Sequence, residues 1–127
     1  MNIKGIGTDI VQITRIETAL KRHGQRFAER ILHCNELQIY HQHNHSVSYL
    51  AKRFAAKEAA AKALGTGIGK QVSLTEVETL NDSLGKPMIQ YHGKTKEFVD
   101  EQGIEQTFLS LSDEKDYAIA YVILVGA

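Results

Sequence analysis

Two acids and a lysine stand where chemistry, rather than packing, would put them. The stretch Arg53-Phe-Ala-Ala-Lys57-Glu58-Ala-Ala-Ala-Lys62-Ala-Leu-Gly65-Thr66-Gly67-Ile-Gly69 predicts an alanine-rich helix that breaks into a three-glycine loop. At 100° per residue, Val47, Leu50, Ala51, Phe54 and Ala61 form an apolar stripe, and Glu58 falls in its middle. A carboxylate facing inward is costly unless it is paired or binds a metal. Lys62 follows one turn later, at the spacing that lets it meet Glu58 or a shared ligand. The second acid is Asp9, in the apolar run Gly5-Ile-Gly7-Thr8-Asp9-Ile10-Val11. Each acid alone reads as a hydrogen-bonded or ion-paired core residue. Together, beside spare lysines, one Asp and one Glu suffice for Mg²⁺, which takes one or two carboxylates and completes its shell with water and phosphate.

The glycine loop is a weak nucleotide signal. Its glycines follow a helix, whereas a P-loop places them before a helix whose N-terminus holds the phosphate. It reads as a C-cap whose glycines let backbone approach a ligand closely.

These residues must be positioned by a small fold. A chain of 127 residues, 43% hydrophobic and 24% charged, is one ordinary globular domain spanning 1–127. No apolar run is long enough to span a bilayer. The N-terminus lacks a signal-peptide pattern, and a single cysteine, Cys34, excludes an internal disulfide, so a cytoplasmic location is expected. The net charge of zero is unevenly spread. Residues 1–70 hold eleven Lys/Arg against five Asp/Glu, and residues 71–127 hold four against ten. The basic half also carries the Glu58 helix, so a phosphate-rich ligand or an acidic partner would be drawn there.

Ile3 to Ile13 reads as a strand interrupted by Gly5 and Gly7. Thr14-Arg15-Ile16-Glu17 has the form of a capping box that starts a helix at Arg15, with Gly24 ending or bending it. Short helices are expected over Phe27–Leu32 and Glu36–Gln42, and a long one from the Ser46 cap to Leu64. Val72 to Leu80 is strand-like, Asn81 to Pro87 is a turn, and Met88 to Tyr91 is a strand. A helix over Thr95–Gln102 and a hairpin of Phe108–Leu111 with Tyr117–Val125 complete the chain. Helices early and strands late predict an α+β fold, with a mostly antiparallel sheet packed against the long helix. The last strand is apolar on both faces, so its outer face needs a cover, from another element or another subunit.

The motifs, taken in order, resemble one family. They are Gly5-Ile-Gly7-Thr8-Asp9-Ile10-Val11, then Arg53 through Gly67, then Gly85-Lys86-Pro87, then Leu109-Ser-Leu-Ser112 before a Tyr-Ala strand. The chain is similar, over almost its whole length, to holo-[acyl-carrier-protein] synthases, the short single-domain 4′-phosphopantetheinyl transferases. The resemblance implies transfer of the 4′-phosphopantetheine arm of coenzyme A to a serine of apo acyl carrier protein, releasing adenosine 3′,5′-bisphosphate, in fatty acid biosynthesis. It further implies a homotrimer with sites between protomers. Such a reaction needs positioning and charge neutralisation more than covalent help. Asp9 and Glu58 would then hold Mg²⁺, and Lys62 would donate to the phosphate under attack or the leaving oxygen. Either Glu58 or Asp9 would take the serine proton. By resemblance, Phe54, Lys57, the Gly65-Thr66-Gly67 loop and Gly85-Lys86-Pro87 line the coenzyme A site.

One departure stands out. Many members of the family carry His after the serine of the penultimate strand, where this chain has Ser112-Asp113-Glu114. An ionised Asp113 accepts a hydrogen bond but cannot donate one.

Arg15, Arg22 and Arg26, with Lys21 beside them, form a basic stripe opposite Ile16, Leu20, Phe27 and Ile31. The family's partner is a strongly acidic helical protein, so the stripe reads as its docking face. His33, His41, His43 and His45 with Cys34 read as a solvated segment in preference to a zinc site. Two other classes compete: a coenzyme A or nucleotide binder without catalysis, and a nucleic-acid-binding protein. The latter lacks stacking aromatics and a basic pI, so neither nucleic acid nor membrane is an expected partner.

Overall fold

The computed structural model describes residues 1–127. The order is β1 (Asn2–Gln12), α1 (Ile13–His23), α2 (Gln25–Ile31), α3 (Cys34–Gln42), α4 (Val47–Ala63), a single 3-10 turn (Leu74–Glu76), β2 (Val77–Asn81), β3 (Pro87–Tyr91), α5 (Gly93–Glu101), β4 (Ile104–Asp113) and β5 (Tyr117–Gly126). Strands β1, β5 and β4 make one antiparallel sheet in that order, and β2 and β3 pair in a second. The α+β expectation with a largely antiparallel sheet holds.

Helix α4 is the centre of the molecule. Leu50, Ala51, Arg53, Ala55, Ala56, Lys57, Ala59, Ala60, Ala61 and Ala63 are all buried, so it is enclosed on most sides. This differs from the one-sided amphipathic helix that its wheel predicts. Alanine makes this possible, because its small side chain lets sheet and neighbouring helices approach from several directions. Past Ala51, the open positions are Lys52, Phe54, Glu58 and Lys62, and the last three form one i,i+4 row. Glu58 therefore lies on the helix's partly open edge and not within a closed apolar stripe. Ser46 caps α4 as expected, its Oγ accepting the Tyr49 N–H at 3.1 Å.

The glycines of β1 do not interrupt the strand. It runs unbroken but for a register shift between Ile3 and Gly5. A Cβ at Gly5 would stand 2.1 Å from the Ala63 carbonyl oxygen, and one at Gly7 would stand 2.1 Å from that of Ala59. Only glycine permits strand and helix backbones to press together this closely.

Two other local expectations are corrected. No capping box opens α1: Gln12 is its N-cap without a side-chain bond, and the helix begins at Ile13, whose N–H donates to the Asp116 carbonyl at 2.8 Å. The strand expected from Val72 begins only at Val77, because the preceding residues turn to meet the Lys57 ammonium, described below.

Candidate active site

Residues Gly5, Gly7, Asp9 and Val11 alternate onto the α4 side of β1, and the close approach at Gly5 and Gly7 carries Asp9 up to the open edge of α4. There Lys62 Nζ donates to Asp9 Oδ1 at 2.9 Å and to the Thr8 carbonyl at 3.1 Å. The i,i+4 spacing allows Lys62 to meet Glu58 or a shared ligand; its direct bond in the fold is to Asp9. Glu58, one turn before Lys62, feels both charges. Its carboxyl is held above the usual carboxylate range, first by partial burial and then by the Asp9 charge, with Lys62 acting in the opposite direction. Two carboxylates thus share one ammonium at a partly open edge, leaving one negative charge uncompensated. The donor set is all oxygen and suits a hard divalent cation such as Mg²⁺.

Lys57 lies elsewhere. Its side chain is 0% exposed, as is that of Glu36 on α3, and the two pair at 2.7 Å. Its Nζ also donates to the Leu74 carbonyl at 3.0 Å and to the Val77 carbonyl. With these partners and no exposed surface, it has no path to a phosphate, so the expectation of a coenzyme A contact at Lys57 is withdrawn. A residue one turn earlier, absent from the expected site, faces a cavity instead. Arg53 is 5% exposed, lies 4.4 Å above the Tyr49 ring, and has a buried Nε without a partner. It borders a cavity of about 410 Å³ with Tyr49, Lys52, His43, Thr79 and Asn81. Arginine inside the alanine-rich segment was the available sequence signal.

Asp113 faces this side of α4. It sits 3.5 Å from Lys52 Nζ and accepts from Ser48 Oγ at 3.3 Å. Asp113 thus tempers a lysine beside the Arg53 cavity. Phe54 shares the open row with Glu58 and Lys62.

The glycine loop is a helix cap. Gly65 and Gly67 have φ of 84° and 68°, and the amides of Gly65, Thr66 and Gly67 all donate back to the Lys62 or Ala61 carbonyls. Those N–H groups are thereby spent, so the loop's contribution to a ligand would be shape rather than amide donation. Gly85, Lys86 and Pro87 close the β2–β3 hairpin, where Asp82 Oδ1 accepts from the amides of Leu84 and Lys86, each at 2.9 Å.

Arg15, Lys21 and Arg22 are exposed on α1, and Arg26 is exposed on α2 beyond the Gly24 break. Arg15 and Arg22 border an open groove of about 340 Å³ with Thr14, Thr18 and His23.

The histidines divide. His41 and His45 contact each other at 2.8 Å on the surface. His33, Glu78 and His92 bring ligand-type atoms within 4.8 Å of one another. This trio is closed by its own bonds: His33 Nδ1 accepts the Asn35 N–H at 3.1 Å, His92 Nε2 meets Glu78 at 2.8 Å, and the two rings stack at 4.2 Å. Stacked rings do not aim their lone pairs at a common point, and imidazole donors are a poor match for Mg²⁺.

Comparison with known proteins identifies the chain's family. The family model for the 4′-phosphopantetheinyl transferase superfamily matches residues 5–122. A holo-[acyl-carrier-protein] synthase of Halorhodospira halophila is 50% identical over 123 residues, 97% of this chain and 98% of that protein. The crystal structure of the holo-[acyl-carrier-protein] synthase from Neisseria meningitidis superposes with a TM-score of 0.94 at 48% identity, covering 98% of this chain and 99% of that one. That of Helicobacter pylori, in complex with coenzyme A, gives 0.84 at 36% identity, covering 94% and 99%. The chain belongs to the 4′-phosphopantetheinyl transferase superfamily, within it to the holo-[acyl-carrier-protein] synthases, and is an enzyme of that kind.

Proposed function

We propose that the chain, acting as one domain over 1–127, moves the 4′-phosphopantetheine group from coenzyme A to a serine hydroxyl of apo acyl carrier protein and releases adenosine 3′,5′-bisphosphate. The observation that carries this reading is the meeting of Asp9, Glu58 and Lys62 at one open edge, in a chain half identical to a synthase over nearly its full length. Asp9 and Glu58 would hold Mg²⁺, which supplies positive charge against the pyrophosphate oxygens.

The residues supply the rest. Serine Oγ forms a bond to phosphorus as the phosphorus–oxygen bond to the bisphosphate breaks. The serine proton passes to Glu58 or Asp9, and the raised proton affinity of Glu58 suits it to that task. The Lys62 ammonium offsets charge on the phosphate or the departing oxygen. Phe54, the Gly65-Thr66-Gly67 loop and the Gly85-Lys86-Pro87 turn remain as coenzyme A walls. Arg53 and Lys52 join them as anion-binding side chains, on the strength of the cavity and the unpartnered Arg53 Nε.

The acidic carrier docks on Arg15, Lys21, Arg22 and Arg26. A homotrimer is supported by the outer face of the β1-β5-β4 sheet, where Ile6, Ile10, Phe108, Ile119 and Tyr121 are all exposed. Sites between protomers would let one chain's hairpin turn meet its neighbour's Asp9. We place the reaction in cytoplasmic fatty acid biosynthesis; no helix is long and apolar enough to cross a membrane.

The test is direct. The protein, coenzyme A, Mg²⁺ and apo carrier are incubated, and the carrier is weighed by mass spectrometry. The carrier gains one phosphopantetheine mass at its serine, and a chelator prevents the gain. A carrier of unchanged mass, with coenzyme A bound, would instead make the chain a binding module.

A further inference from the structure

Helix α4 has a smooth surface where it matters most. Between Ala55 and Ala63 its buried contacts are made by Ala55, Ala56, Ala59, Ala60, Ala61 and Ala63, and by Lys57. Methyl groups pack against almost anything, so they index a helix's rotation poorly. Lys57 differs from all of them. Its ammonium is bonded by Glu36 Oε1 at 2.7 Å, by the Leu74 carbonyl at 3.0 Å and by the Val77 carbonyl.

Glu36 is itself tied on every side. Its Oε1 also accepts the His33 N–H at 2.8 Å, and its Oε2 accepts the Thr79 N–H and Thr79 Oγ1–H, each at 2.8 Å. The network joins α3, the 3-10 turn and β2 to one point on α4, and that point is the residue directly before Glu58.

We infer that Lys57 and Glu36 are positioning residues for the reaction: their buried pair fixes the rotation of α4 so that the Glu58 carboxylate stays opposite Asp9. This rests on the reading of Glu58 as a metal-holding carboxylate given above. Side-chain ends lie about 5–6 Å from a helix axis, so a turn of about 10° moves a carboxylate by about 1 Å. A displacement of that size is enough to lower a rate by about 10²-fold.

A purely stabilising role predicts otherwise. Burying two charges is expensive, and apolar residues of similar volume often stabilise a fold as well or better. The pair would then be dispensable once replaced by a packed apolar pair.

The test separates the two roles. Glu36→Met with Lys57→Met is compared with wild type for melting temperature, subunit assembly, kcat, KM for coenzyme A and the Mg²⁺ concentration giving half activity. A melting temperature at or above wild type is expected, with kcat divided by the half-activating Mg²⁺ concentration lowered about 10²-fold and KM for coenzyme A little changed. A folded double variant with wild-type kcat and Mg²⁺ dependence would overturn the inference. Should the double variant not fold, Thr79→Val removes one bond to Glu36 while keeping the shape. It shifts the Mg²⁺ dependence in the same direction by a smaller factor, and no shift counts against the inference. Glu58→Gln is run in parallel. If it leaves Mg²⁺ dependence unaltered, the reading of Glu58 fails and the positioning role falls with it. If it disturbs that dependence and the double variant does not, only the positioning role fails.

Discussion

Lys62 on α4 reaches across to β1 and donates to Asp9 at 2.9 Å, so residues 53 positions apart in sequence form one charged contact. The Lys62 side chain is 52% exposed and that of Asp9 14% exposed. The open Lys62 end lets the ammonium exchange Asp9 for a phosphate oxygen, while the Asp9 carboxylate stays largely enclosed. Lys62→Ala should therefore lower the melting temperature, because it strands a largely enclosed Asp9 beside Glu58 without a cation, and should lower kcat about 10²–10³-fold, the scale of a lost transition-state donor. Steady-state kinetics with a thermal melt checks both halves.

Asp9→Asn is expected to weaken Mg²⁺ activation by more than the roughly 10–100-fold typical of changes outside the first ligand shell. Titrating Mg²⁺ at saturating coenzyme A measures it. An activation curve matching wild type would remove Asp9 from the metal.

Glu58 makes a prediction about pH. Its folded carboxyl is held above 4.5, the value it would have when unfolded, chiefly by partial burial and Asp9. A raised carboxyl favours the folded state while protonated, and that contribution is lost as pH rises through the folded value. At neutral pH without divalent metal, Glu58→Gln should thus melt higher than wild type, and the difference should close below pH 4.5. Melts at a series of pH values in chelator check the sign. A variant that melts lower at neutral pH would contradict it.

Gly7→Ala tests the contact between β1 and α4. The added methyl would meet Ala59 and Ala63 backbone, which cannot swing aside. A loss of about 1–3 kcal/mol is expected, with activity falling because Asp9 rides on the displaced strand. Denaturant unfolding and kinetics on the surviving folded protein read the two effects.

Arg15→Glu with Arg22→Glu should raise KM for the carrier while sparing KM for coenzyme A. The defect should be largest at low salt and shrink as ionic strength shortens electrostatic reach to about 8 Å near 0.15 M. A carrier KM unchanged at low salt would remove the groove from docking.

Much was legible in the chain itself. Local chemistry set the Ser46 cap, the Gly65 stop and the short helices, because caps and breakers act within a few residues. Residue type singled out Asp9, Glu58 and Lys62, since acids amid apolar neighbours need a reason. Gly5 and Gly7, by contrast, read as interruptions. Their meaning depends on a helix some fifty residues later pressing on that strand. Lys57 and Glu58 are adjacent, and sequence cannot say which of two neighbouring charged residues turns inward.

Sequence thus determined the family, the pair of acids and the helix that carries one of them. Tertiary structure decided the partners: Lys62 with Asp9, Lys57 with Glu36, and Arg53 facing a cavity. The reason is geometric. A helix surrounded by small side chains is nearly symmetric to its own sequence, and only the directional bonds and close backbone contacts of distant elements choose which edge stays open.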